Sequence, residues 1–112
     1  MEFIASRPSG TQCVVQKYIE RPLLYKGRKF DIRVWAIATN KNEIYFYKQG
    51  YLRTSSNKYS LESKNLTTHL TNQCLQVKHQ NTYGKFEEGN TLSYQDFQDY
   101  LDSEEFIQSR PD

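Results

Sequence analysis

Lys29-Phe30-Asp31-Ile32-Arg33 alternates charged and apolar side chains, the period-2 pattern of a strand with one wet face and one buried face. Lys29, Asp31 and Arg33 share the first face, while Phe30, Ile32 and Val34 take the second. Trp35 and Ile37 then continue the charged face with apolar groups. A cation-anion-cation cluster therefore sits at the edge of an apolar surface, as at the lip of a cleft. Arg53, on what reads as a neighbouring strand of the same sheet, adds another cation.

Working outward, the alternation predicts a strand over Lys29–Thr39, preceded by a turn at Tyr25-Lys26-Gly27-Arg28 and followed by one at Asn40-Lys41-Asn42. Glu43–Tyr47 reads as the next strand. Lys48-Gln49-Gly50 is another tight turn, with Gly50 expected at positive φ, and Tyr51–Thr54 is a short returning strand. Upstream, the β-branched and aromatic stretch Cys13–Glu20 reads as a strand stopped by Arg21-Pro22. Downstream, Ser55–Thr68 has loop composition. After a short apolar-polar stretch, Gln73–Val77, a second polar loop covers Lys78–Asn90. Ser93 with Asp96 marks a helix start, and Phe97, Tyr100 and Leu101 fall on one face of that helix. The expectation is an α+β fold with a mostly antiparallel sheet and a C-terminal helix.

A chain of 112 residues buries only about two-thirds of its unfolded surface, so its core is small. Both ends favour a piece of a larger fold: a partial N-terminal segment over 1–12, the domain over 13–102 and a truncated tail over 103–112. Fifteen basic and 13 acidic residues give a net charge of +2 without a basic block, which argues against a nucleic-acid-binding arm. Cys13 and Cys74 lack metal-ligand spacing and are expected to be free, buried thiols of a reducing compartment. No secretory leader pattern and no apolar run of about 18 residues is present, so no membrane partner is expected.

Residues two apart on a strand face lie about 6.6 Å from each other, where each cation beside Asp31 is worth about 2 kcal/mol at an intermediate dielectric. Asp31 should stay ionised. The cations outnumber it, leaving a net positive field suited to phosphate or carboxylate, with Arg33 and Arg53 offering planar forks. A solvent-facing strand of mixed charges fits the same spacing. His69-Leu70-Thr71-Asn72 could bind a ligand or simply close a turn. Glu87-Glu88 in a Gly/Asn loop reads as solvated rather than metal-binding, and no P-loop, dinucleotide fingerprint or catalytic triad order is present.

In order along the chain, Gln16-Lys17-Tyr18-Ile19, Lys29-Phe30-Asp31-Ile32-Arg33, Gly50-Tyr51-Leu52-Arg53-Thr54-Ser55-Ser56 and His69-Leu70-Thr71-Asn72 resemble the tubulin tyrosine ligase-like family. The likeness runs from about Val14 to Leu101. Within it, Tyr83-Gly84-Lys85-Phe86-Glu87-Glu88-Gly89-Asn90 looks more like the tyrosine-adding member than its glutamylating or glycylating relatives.

The resemblance implies a central fragment of an ATP-grasp fold and an ATP-dependent ligase that joins an amino acid to a tubulin carboxylate through an acyl phosphate. Tyrosine is the first expectation for that amino acid, glutamate or glycine the alternatives, and a catalytically inactive tubulin-binding protein a further one. In the resemblance, Gln16, Lys17, Tyr18 and Ile19 look like the adenine segment, and Lys29, Asp31, Thr71 and Asn72 like further ATP contacts. Arg33 resembles the arginine facing the transferred phosphate, a role that needs preorganised charge rather than a base. Arg53 resembles the residue that holds the amino acid's carboxylate. The family's Mg²⁺ ligands would lie outside this chain, so the fragment alone is expected to be inactive. The implied partners are tubulin and a free amino acid, and the implied location is the cytoplasm, at the cytoskeleton or cilium.

Overall fold

The computed structural model describes residues 8–78 and 81–109. The parts of the expected end segments at 1–7 and 110–112 lie outside the described residues. Strands β1 (Leu24–Tyr25), β2 (Arg28–Arg33), β5 (Tyr51–Lys58) and β6 (Thr91–Ser93) form an antiparallel sheet in the order β1-β2-β5-β6. Strands β3 (Ala36–Ala38) and β4 (Ile44–Phe46) form a separate two-stranded hairpin. Helices α1 (Leu66–His69) and α2 (Gln73–Lys78) follow β5, a 3₁₀ turn at Glu88–Asn90 precedes β6, and α3 (Tyr94–Leu101) and α4 (Glu104–Ser109) complete the order.

The local chemistry accounts for these choices. Lys26 and Gly27 both take positive φ, 47° and 73°, which suits a two-residue turn between right-twisted strands and joins β1 to β2. The single strand expected over Lys29–Thr39 is instead two, broken at Val34-Trp35, because the chain changes partner there. β2 pairs with β5 as far as Arg33 opposite Tyr51, whereas β3 pairs with β4. The expected meander is thus interrupted by a hairpin that is not hydrogen-bonded into the main sheet.

Gly50 is also needed for a different reason than its turn position suggests. It is not at positive φ. A Cβ there would stand 2.0 Å from the Tyr94 hydroxyl and 2.4 Å from the Arg33 carbonyl oxygen, so close approach excludes a side chain.

Cys13–Glu20, expected as a strand, lies outside any ladder among the described residues. Val14, Val15 and Ile19 are exposed, so β propensity there is not reinforced by packing against a neighbouring surface. Conversely, β5 runs four residues beyond Thr54 into the stretch expected to be loop. Cys13 and Cys74 are free, as expected, but exposed rather than buried.

The extension of β5 is made possible by a register offset. Arg28 pairs with Lys58 but Phe30 pairs with Thr54, so β5 carries two more residues than β2 over this interval. The backbone groups released there find side-chain partners. Ser55 Oγ accepts from the Asn57 N–H at 3.0 Å, the Ser55 carbonyl accepts from Arg28 Nη1 at 3.0 Å, and the Ser56 N–H donates to Gln76 Oε1 at 2.9 Å. Gln76, itself buried, also donates to the carbonyls of Thr67 and Leu70, which fixes α1 and α2 against β5.

One face of the sheet carries the apolar core: Tyr25, Leu52, Leu92, Tyr100 and Phe106, with Phe30, Tyr94, Phe97 and Leu101 packed around them. The expected helix face of Phe97, Tyr100 and Leu101 is the one that covers it. Phe97 meets Phe30 at 4.9 Å between ring centroids, and Tyr100 sits between Tyr25 and the Phe106 of α4. Ser93 Oγ accepts from the Asp96 N–H at 3.1 Å, the cap read from the sequence. Ser93→Ala is expected to cost about 1 kcal/mol, read as a small drop in the denaturation midpoint. Among the described residues no helix is long and apolar enough to cross a membrane.

Candidate functional site

The opposite face of the sheet carries the charged row. Because Asp31 stands directly across from Arg53 in the β2–β5 register, their side chains meet without crossing the sheet. Arg53 Nε donates to Asp31 Oδ1 at 2.8 Å and Nη2 to Oδ2 at 2.5 Å, a two-pronged ion pair. Hydrogen bonding to Asp31 holds the Arg53 guanidinium above its ordinary pKa. The pair is only partly sheltered, with 22% of the Arg53 side chain and 37% of the Asp31 side chain accessible. Two of the five guanidinium N–H groups face Asp31, which leaves the others for a second acceptor.

Arg33, at the last rung of β2, is exposed, and its guanidinium carbon lies 5.9 Å from the centre of the Trp35 ring. Trp35 in turn leans on Tyr51 at 5.8 Å and Tyr47 at 6.3 Å. An aromatic wall therefore flanks the two arginines. At the other end of the row, Lys29 Nζ donates to the Tyr18 hydroxyl at 3.1 Å and lies 4.6 Å from the centre of its ring. Tyr18 Oη is 2.8 Å from Nδ1 of His69, at the end of α1, and His69 Nε2 is 2.7 Å from the Ser63 carbonyl oxygen.

The structure thus brings together two pairs of the sequence-predicted residues, Lys29 with Tyr18 and Asp31 with Arg53. Lys17, Tyr18 and Ile19 line a shallow cleft of about 490 Å³ with Glu20 and Arg21, and Gln16 is exposed beside them. Among the described residues no backbone hydrogen bond engages Gln16–Ile19, so its donors and acceptors are available to a ligand. Thr71 is buried and Asn72 exposed between α1 and α2, where the Asn72 carbonyl accepts from the Leu75 and Gln76 N–H groups. No hydrogen bond among the described residues joins Thr71 or Asn72 to Lys29 or Asp31.

Sequence reasoning passed over a buried polar network on the core face. Arg28 is 2% exposed and forms a two-pronged ion pair with Glu87, while its guanidinium carbon stacks 4.3 Å from the centre of the Phe86 ring. Glu87 Oε2 also accepts from the Thr54 hydroxyl at 2.9 Å. Asn90 donates to the Thr54 carbonyl at 3.0 Å and to Ser56 Oγ at 2.7 Å, and accepts from the Gly84 N–H at 2.7 Å. Glu87 is therefore a structural anion rather than a solvated one. Only the proximity of Glu87 to Phe86 and Asn90 in a polar loop hinted at this role.

Among the described residues no group of three His, Cys, Asp or Glu side chains comes together to hold a metal. Asp31, the acid of the charged row, is occupied by Arg53. The site supplies cations and aromatic faces, a chemistry that fits phosphate and carboxylate oxygens but gives a divalent ion no cage.

The chain is 48% identical over 75 residues to tubulin glycylase 3A of Drosophila melanogaster, covering 65% of this chain and 8% of that protein. It is 42% identical over 93 residues to the human protein monoglycylase TTLL8, covering 79% and 11% respectively. It is 44% identical over 71 residues to the human tubulin monoglycylase TTLL3, covering 62% and 9%. It thus spans between 8% and 11% of the length of these relatives. The model of the tubulin-tyrosine ligase family matches residues 1–110, and on that match the chain belongs to the tubulin-tyrosine ligase family.

Proposed function

We propose that this chain forms part of the nucleotide and amino-acid site of an ATP-dependent ligase that adds glycine to a carboxylate of tubulin. The observation that carries the choice of glycine is the identity of 42% to 48% with proteins named as glycylases and monoglycylases. It favours the glycine alternative over the tyrosine expected first. That expectation leaned on Tyr83–Asn90, and this stretch is occupied in holding the sheet through Glu87 and Asn90 rather than in facing the charged row. The ATP-grasp architecture is part of the same proposal, which the antiparallel sheet and its flanking helices suit.

In this reading Gln16, Lys17, Tyr18 and Ile19 meet the base of ATP through free backbone groups, and Lys29 and Asp31 frame its phosphate side with Thr71 and Asn72. Arg33 faces the phosphoryl group as it passes to the tubulin carboxylate, where a fixed cation stabilises charge that develops in the transition state. The amine of glycine then attacks the activated carbonyl, an amide bond forms, and phosphate departs. Arg53 holds the glycine carboxylate with the N–H groups that Asp31 leaves free. Mg²⁺, which would neutralise phosphate charge when bound, would take its ligands from outside this chain. The place of action is the cytoskeleton.

The full-length enzyme, given ATP, Mg²⁺ and tubulin with radiolabelled glycine, tyrosine or glutamate in turn, is expected to incorporate glycine. Incorporation of tyrosine or glutamate without glycine would transfer the reading to those relatives, and incorporation of none would leave only a tubulin-binding role.

A further inference from the structure

The contacts of His69 form a chain whose direction is fixed at its two ends, a carbonyl oxygen and an ammonium. The Ser63 carbonyl can only accept, so His69 Nε2 carries the ring proton. In the neutral ring Nδ1 then presents a lone pair, and the Tyr18 hydroxyl donates to it across 2.8 Å. The Lys29 ammonium can only donate, and it does so to the remaining lone pair of the same hydroxyl at 3.1 Å. The imidazole also stands edge-on to two rings, Tyr18 at 5.6 Å and Tyr59 at 5.8 Å between centroids. Tyr59 in turn donates to the Glu20 carbonyl at 2.8 Å, which ties down the end of the Gln16–Ile19 segment. Within that segment only Tyr18 has a side-chain hydrogen bond among those described, and it lies 51 residues from its acceptor. Lys29, Tyr18 and Tyr59 are the titratable groups around the imidazole, and no carboxylate makes a described contact with it.

We propose that His69 is the positioning residue of the nucleotide site: by accepting from Tyr18 it orients the hydroxyl that holds the Lys29 ammonium, and so docks the adenine segment against β2. The proposal rests on the nucleotide reading of Lys29 and Gln16–Ile19. His69 touches no substrate itself. Removing its acceptor leaves the Tyr18 hydroxyl with the Lys29 ammonium alone, so the segment loses its tie to α1 and the hydroxyl its fixed orientation. An Asn at this position carries Oδ1 close to where Nδ1 was and preserves the acceptor, whereas a Phe keeps the ring packing and removes it.

The test uses the full-length enzyme, with ATP affinity measured by calorimetry and KM for glycine measured alongside. His69→Phe is expected to weaken ATP about tenfold, the worth of one well-placed hydrogen bond, and to leave KM for glycine unchanged. Tyr18→Phe, which removes the same link from its other end, should match it, and the double variant should be no weaker than either single one. His69→Asn should stay within about threefold of the parent. Lys29→Ala separates the two levels of the argument. If it weakens ATP while His69→Phe and Tyr18→Phe do not, the positioning role is overturned and the nucleotide reading stands. If Lys29→Ala leaves ATP affinity intact, both fall. Equal loss in His69→Asn and His69→Phe also overturns the proposal, because packing rather than the acceptor would then be at work.

Discussion

Arg28→Ala in the full-length protein is expected to lower stability by about 3–5 kcal/mol, the cost of breaking a buried ion pair from one side. The Glu87 carboxylate, only 14% exposed, would keep a single hydroxyl donor, Thr54, in place of a fork and a hydroxyl. The Ser55 carbonyl, released from the ladder by the register offset, would lose its partner as well. Glu87→Gln should also destabilise, because it leaves the Arg28 guanidinium, 2% exposed, without a counter-anion, although the amide oxygen still accepts from one of its N–H groups. Removing both charges, as in Arg28→Met with Glu87→Leu, should recover part of the loss by avoiding desolvation, although Ser55 stays unpaired. Denaturation midpoints at a constant m-value check the order of these variants. An Arg28→Ala variant within 1 kcal/mol of the parent would show that the pair contributes little.

Arg53→Ala is expected to reduce kcat/KM for glycine about a hundredfold while ATP affinity changes less than about threefold, since the loss falls on a charge-assisted carboxylate contact and leaves Lys29 and Tyr18 in place. Arg53→Lys should fall between, because an ammonium keeps the charge but cannot grip Asp31 and a ligand carboxylate at once in a planar fork. Asp31→Asn keeps the shape of the pair and weakens its orientation of Arg53, so KM for glycine should rise without abolishing turnover. Parallel loss of ATP affinity in Arg53→Ala would contradict the assigned role. It would mean that the Asp31–Arg53 pair supports the nucleotide wall instead.

What could be read from the residues alone was what depends on short sequence separation. The alternation through Lys29–Arg33 placed Asp31 on the face that Arg53 shares, and the Ser93 cap with Phe97, Tyr100 and Leu101 placed α3 on the core. What could not be read depends on partners far along the chain. Arg28 meets Glu87 across 59 residues, and neither has a local pattern that marks it as buried. Residues 55–58 looked like loop because Ser55, Ser56 and Asn57 have no apolar alternation. They are strand because Arg28, Gln76 and Asn90 satisfy their polar groups one by one. The role of Gly50 was misread for a related reason, since the hydroxyl that crowds it belongs to Tyr94 on a distant helix.

The offset in β5 bears on how this region tolerates changes of length. Two additional residues keep the parity of the strand, so Thr54, Ser56 and Lys58 remain on the face that Arg28 and Phe30 share. Loss or gain of one residue between Ser55 and Asn57 would turn every later side chain of β5 to the opposite side, and Lys58 would no longer oppose Arg28 in phase. Gaps among homologous chains at this point should therefore come in twos. A chain shortened by two would regain a regular ladder and draw the Ser55 carbonyl back into it, leaving Glu87 as the hydrogen-bond partner of Arg28.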